Sequence, residues 1–274
     1  MNILNIFNEI EKVDPEVYEK MDDRRAALKQ FTGFAGKVAA VSFPLMMGSM
    51  FKKAYGQTST AIIDVLNFAL TLEFLESEFY KKGVATSGLI AATDLPGFTT
   101  IRDHEVAHVA FLKSVITSMG GTPVSYMATD FDFTAHGSFP TVFSSYDTFL
   151  AVSQAFEDTG VRAYKGQAGN LISNKTVLTA ALQIHSVEAR HASHVRKTRH
   201  DRGAAVKPWI TLNDTGGIGS AVAPVYAGEE NTTQAGVQIV NINGMSISAS
   251  AASEAFDEPL TKAQVTAIVT PFFA

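Results

Sequence analysis

Apolar residues recur at helical spacing in four stretches of the chain. From Ala61 to about Lys82 the stripe is Ile62, Val65, Ala69, Leu72 and Phe79. A second stripe, Ile101, Glu105, His108, Leu112, Val115 and Met119, advances in steps of 4, 3, 4, 3 and 4 residues. The third, within Tyr146 to Gln167, is Phe149, Val152, Phe156, Gly160 and Ala163. The fourth, Val177, Ala181, Ile184, Glu188, His191 and Val195, repeats the steps of the second. Each pattern predicts an amphipathic helix with one buried face.

Turn and cap residues set the expected boundaries. Gly83 to Phe98 reads as a connection containing Asp94-Leu-Pro-Gly97, so the second helix is expected to start near Thr100 with Asp103 in capping-box position. Gly120-Gly121 and Pro123 end it. Asn174 can cap the fourth helix, and Gly203 stops it. Arg196, Lys197, Arg199 and Arg202 sit at its C-terminal end, where cations suit the helix dipole. Thr122 to Ser144 is long, aromatic-rich and without a helical period. A crossover explains it, because it lets the third helix run parallel to the second. The fold class is therefore mainly α, a four-helix bundle with one long crossover.

The expected organisation is 1–57 as a leader or N-terminal helical extension, 58–204 as the bundle, and 205–274 as a C-terminal arm. In that arm Val237 to Ile242 and Met245 to Ala249 alternate weakly, as short strands or extended chain would. Glu258-Pro-Leu-Thr261 precedes a last helix, Lys262 to about Val269. The arm is too apolar for a free tail and is expected to pack on the bundle.

Some polar residues fall on the buried side of these stripes. Glu73 and Glu157 each precede a tyrosine by seven residues, Tyr80 and Tyr164. Each Glu is followed, 32 or 31 residues later, by Glu-x-x-His: Glu105 with His108, and Glu188 with His191. The whole pattern repeats at an offset of about 84 residues. Spacing of i, i+3 puts Glu and His on one helix face about a turn apart. A carboxylate inside a bundle is costly unless it is paired, hydrogen-bonded or metal-bound. Four carboxylates and two imidazoles balance two divalent ions, and bridging carboxylates would hold these ~3.5–4 Å apart. The competing account is a hydrogen-bonded polar core without metal. Glu76, one turn after Glu73, is a candidate extra ligand. His104 and His185 lie one step off the stripes and read as surface or outer-layer residues, and Asp130, Asp132 and His136 as loop caps.

Composition narrows the chemistry. The chain has no cysteine, which excludes disulfides, thiolate zinc and iron–sulfur clusters and leaves His and carboxylates as ligands. A net charge of −5 over 274 residues offers no basic footprint for nucleic acid. The apolar run Val38 to Phe51 spans 14 residues, which suits a signal segment or a buried helix better than a membrane span. Arg24-Arg25-Ala-Ala-Leu28-Lys29 precedes it and looks like a twin-arginine signal. Lys37 and Lys52-Lys53 depart from that pattern. The expectation is export to the periplasm, or the cytoplasm if the N-terminus is retained. Removing residues 1–57 leaves 14 basic and 20 acidic residues, so the charge argument is unchanged.

Leu66-Asn-Phe-Ala-Leu-Thr-Leu-Glu-Phe-Leu-Glu-Ser-Glu-Phe-Tyr80 and Ala255-Phe-Asp-Glu-Pro-Leu-Thr-Lys262 resemble the ferritin-like superfamily, in particular bacterial ferritin-like domain proteins related to plant desiccation-related proteins. The resemblance implies a di-iron or di-manganese carboxylate centre held by Glu73, Glu105, His108, Glu157, Glu188 and His191. It places Tyr80 and Tyr164 just outside that ligand layer. It implies two Fe or Mn ions as cofactors and O2 or peroxide as the reacting partner, in ferroxidase, peroxidase or catalase-like chemistry under oxidative or desiccation stress. The crossover and the two arms argue against a ferritin cage, and leave a homo-oligomer open. The alternative function is a non-catalytic structural or binding protein of the envelope that keeps the bundle for stability.

Overall fold

The computed structural model describes residues 60–274. The expected leader, residues 1–57, with its twin-arginine stretch and the apolar run from Val38 to Phe51, lies outside the described residues. Four long helices follow: α1 (Thr60–Ala85), α2 (Leu95–Ser118), α3 (Tyr146–Ala168) and α4 (Lys175–Asp201). Their buried faces carry the predicted stripes, from Ile62, Ala69, Leu72 and Phe79 on α1, where Val65 is only half-buried and Leu66 is buried beside it, to Val177, Ala181, Ile184 and Val195 on α4. Ser145 caps α3 through the Thr148 amide, and Asn174 caps α4 through the Val177 amide at 3.1 Å.

The start of α2 corrects the expected boundary. The helix begins at Leu95, not near Thr100, and has Pro96 in its first turn. Proline suits that turn, where its missing N–H has no partner to lose. Asp103 is therefore an exposed mid-helix residue whose carboxylate meets Arg102, and not a cap. Gly97 in the same turn lies against α4: a Cβ there would stand 2.5 Å from His194 Nε2.

Paired contacts give the helix directions. Along α1, Asn67 binds the Thr122 carbonyl and the Val124 amide, Glu73 meets His108, and Tyr80 meets Phe98, so α1 and α2 are antiparallel. Tyr80 reaches Glu157 while Glu73 reaches Tyr164, so α1 and α3 are antiparallel as well. Hence α2 and α3 run the same way, the arrangement for which a long crossover is needed. Gln154 beside Arg199 and Val161 beside His185 make α4 antiparallel to α3.

The crossover supplies an aromatic plug. Phe133 and Phe143 pack on Phe79, which stacks on Phe149 at 4.9 Å between ring centroids. Residues 202–274 carry only short elements: α5 (Ala223–Tyr226), a hairpin of β1 (Thr233–Gln234) with β2 (Val237–Gln238), α6 (Ala249–Ser253) and α7 (Lys262–Val269). The second weakly alternating stretch, from Met245, forms no strand. Thr261 and Gln264 form a capping box on α7. This arm lies on α3. Buried Arg162 donates to the carbonyls of Val225, Ala227 and Glu258 and pairs with Glu229 at 2.8 Å. The chain end then pairs with the crossover, Asp132 N–H to the Phe272 carbonyl at 2.8 Å and Ala274 N–H to the Asp130 carbonyl at 3.0 Å. Among the described residues no helix is long and apolar enough to cross a membrane.

Candidate metal centre

Each helix delivers its Glu to the bundle axis because that Glu lies in phase with the apolar stripe. Glu73, Glu105, Glu157 and Glu188 are completely buried, His191 is buried, and His108 is largely so. The six sequence-predicted residues come together as two groups, each with donor atoms within 4.8 Å of one another: Glu73, Glu105, His108 and Glu188; and Glu105, Glu157, Glu188 and His191. Glu105 and Glu188 belong to both. The i, i+3 pairs therefore do more than add donors, since each pair contributes one shared carboxylate and one unshared imidazole.

The separations test the fit to metal ions. Two donors sharing an ion at ~2.1 Å stand about 3.0–3.4 Å apart at inter-ligand angles of 90–110°. His108 Nδ1 lies 3.0 Å from Glu73, 3.2 Å from Glu105 and 3.4 Å from Glu188. His191 Nδ1 lies 2.9 Å from Glu105 and 3.3 Å from Glu157. The His191 contacts are short but are not aligned as hydrogen bonds. Glu105 Oε1, Glu157 Oε2, both Glu188 oxygens and His191 Nδ1 are buried without a hydrogen-bond partner. A buried polar atom left unpaired costs about 1–3 kcal/mol, more if charged. Donor lone pairs converging at these distances fit two divalent cations, and the set of donors is one that iron or manganese accepts.

Without metal the cluster must hold protons instead. Burial pushes Glu188 well above the usual carboxyl range, and the neighbouring Glu105 and Glu73 add to it. Burial likewise raises Glu73 to about 7, against the pull of His108. His191 resists the downward push of burial because Glu157 and Glu105 face it, and it rises to about 11. Glu105 falls below its usual range: burial pushes it up, but the close His108 and His191 imidazoles outweigh that.

A supporting layer surrounds the ligands. Tyr80 donates to Glu157 and Tyr164 donates to Glu73, each across the bundle to the other half's lone glutamate. Burial keeps both phenols neutral, and so able to donate. His104 Nδ1 sits 3.0 Å from His191 Nε2, with the rings stacked at 5.2 Å. Burial and the neighbouring imidazoles lower the His104 pKa, which leaves it neutral and able to accept from His191 Nε2–H. That bond leaves His191 Nδ1 free as a donor to metal. Glu76 is buried next to the cluster but belongs to neither four-donor group. A Cβ on Gly160 would lie 2.8 Å from Glu188 Oε2 and 3.3 Å from Glu76 Oε1, so this glycine makes room for both carboxylates. Its signal in the sequence was a glycine on a helical apolar stripe, where alanine is about 1 kcal/mol more favourable. His194 and His200 stay outside the centre, His200 bonding the Val206 carbonyl. Asp130 caps Met127, and Asp132 binds Thr134 and His136 as an Asx turn would.

Comparison with known proteins adds a family. No curated protein matches the chain. The model of the ferritin-like domain matches residues 61–201, which are the four helices that carry all six converging residues. The chain belongs to the ferritin-like domain family.

Proposed function

We propose that this protein holds two iron or manganese ions and acts on O2 or peroxide in protection against oxidative or desiccation stress. The observation that carries this reading is the sharing of Glu105 and Glu188 between two otherwise separate donor groups. Glu73 with His108 would complete one position and Glu157 with His191 the other. The ions would supply the electrons exchanged with the oxidant. The protein's part is to orient and to exclude water. The Tyr80 and Tyr164 phenols hold the unshared glutamates in place, and His104 fixes the tautomer of His191. The Phe79, Phe98 and Phe149 rings beside Tyr80 keep that flank dry. Export by the Arg24-Arg25 stretch belongs to the same reading, and N-terminal sequencing of the native protein would test it.

Metal analysis of protein purified without added metal tests the centre itself. About two Fe or Mn per chain are expected, with loss of both in Glu105→Ala combined with His191→Ala. A wild-type protein that takes up neither Fe(II) nor Mn(II) and leaves peroxide unconsumed would sink the reading in favour of a non-catalytic bundle.

A further inference from the structure

A second cavity lies outside the metal centre, between α3, α4 and the C-terminal arm. Its volume is about 290 Å³, near the lower end of the ~300–1,000 Å³ of small-molecule sites. Its walls combine apolar surface (Val161, Ala189, Ala192 and Ile210) with the aromatic side chains Trp209 and Phe256. Both aromatics are partly open to solvent, Trp209 at 51% and Phe256 at 42%. Much of this wall comes from residues 208–257, beyond the matched ferritin-like domain, so the cavity is a feature of the arm.

The charges around it are unevenly compensated. Asp158 is saturated by Arg196 and the Tyr226 hydroxyl. Glu229 is paired with Arg162 and Glu254 with Lys207. Asp257 is held more loosely: its side chain is about a third exposed, its Oδ2 makes no hydrogen bond, and its ion-pair partner Lys165 stands 3.9 Å away, beyond hydrogen-bond reach. His185 donates from Nδ1 to the Val161 carbonyl at 3.0 Å, which leaves Nε2 as an acceptor. The site therefore offers acceptors and one carboxylate whose Oδ2 no donor reaches. An anion would face four carboxylates, while the lining cation Arg196 is already spent on Asp158 and the Trp209 carbonyl. A neutral molecule would add no charge to that of the distant Lys165 at Asp257. A metal ion would want converging donors, and among the described residues these carboxylates do not converge as those of the bundle do.

We infer that this cavity binds a small organic cation, a primary ammonium group meeting Asp257 while an aromatic or aliphatic body lies against Trp209 and Phe256. The ammonium supplies the donors that Asp257 and His185 lack, and the aromatic faces attract cations as well as apolar carbon.

Trp209 is the protein's only tryptophan, so its fluorescence reports on the cavity directly. The full chain is titrated with 2-phenylethylamine, 2-phenylethanol and 3-phenylpropanoate, with selective tryptophan excitation. The amine is expected to give a saturable change, the alcohol to bind about tenfold more weakly or worse, and the carboxylate not at all. Asp257→Asn should weaken the amine about tenfold and leave the alcohol unchanged. Lys165→Met, which removes the ion-pair partner of Asp257, should tighten the amine several-fold, and this variant keeps the test open if Asp257→Asn folds poorly. Equal binding of amine and alcohol, binding of the carboxylate, or an amine affinity that Lys165→Met fails to raise would overturn the assignment, as would a titration in which no probe saturates.

Discussion

Two buried polar clusters share helices α3 and α4, and they are neutralised in opposite ways. In the bundle, Glu73, Glu105, Glu157 and Glu188 face only two imidazoles, and several of their oxygens lack any hydrogen bond. Beneath the arm Asp158 and Arg162 are each fully paired. Asp158 accepts from Arg196 at 2.6 Å and from Tyr226 at 2.8 Å, and Arg162 binds Glu229 together with three carbonyls. The second cluster is complete within the chain and works as a fastener. The first is incomplete and needs cations or protons from outside. A buried carboxylate is thus no evidence for a site by itself; what separates the two clusters is whether the chain supplies the opposite charge.

The comparison breaks most visibly at Arg162. Arg162→Met strips three carbonyls and Glu229 of their donor at once. Removing one partner of a buried ion pair costs about 3–5 kcal/mol. For a chain of this size that lowers Tm by roughly 10 °C, read by thermal melts of metal-free protein. A loss too small to shift the melt would mean that the arm is fastened elsewhere.

The complementary experiment fills the incomplete cluster. Fe(II) or Mn(II) at ~100–1,000 times its Kd stabilises by about 2.7–4.1 kcal/mol, an upward Tm shift expected in wild type and not in Glu188→Gln. Gly160→Ala is subtler. Its new Cβ would press on Glu188 Oε2 from 2.8 Å, and displacing a ligand in this way should weaken metal binding about 10–100-fold while the metal-free melt changes little. Unaltered metal affinity in Gly160→Ala would show that Glu188 has room to move.

Much of this centre is legible in the sequence. A glutamate in phase with Ala69 or Ile184 has nowhere to go but inward, so period alone brings Glu73 and Glu188 to the axis. The boundary of α2 was not legible, because Asp94-Leu-Pro-Gly97 carries turn residues in a first helical turn that tolerates proline and that needs glycine for contact with His194. Spacing also hides which glutamates are shared, since that depends on how far α2 and α4 project past each other at the axis. The crossed tyrosines, His104 behind His191, and Arg162 as the arm's anchor are all contacts between distant segments. No local pattern encodes them. Arg162, one position from the Ala163 stripe, was the nearest thing to a sign.

The smallest expected effect separates the clusters by pH. With metal removed, Glu73 titrates near 7 in the folded protein, raised by burial from its ordinary 4.5. Between those values the folded chain holds a proton that the unfolded chain has released, so the Glu73 contribution to stability is full below about pH 4.5 and is lost as pH rises through 7. His191, raised to about 11 by Glu157 and Glu105 against burial, extends the decline to higher pH. Metal must displace these same protons, so its stabilisation grows with pH. Melts of wild type at several pH values in that range should show Tm falling with pH in chelator and holding or rising with Mn(II). Glu73→Gln should flatten the chelator series by roughly 1 kcal/mol or more across the window. If the chelator series already rises with pH, the buried glutamates are ionised without metal, and the contrast between an incomplete centre and a complete fastener fails.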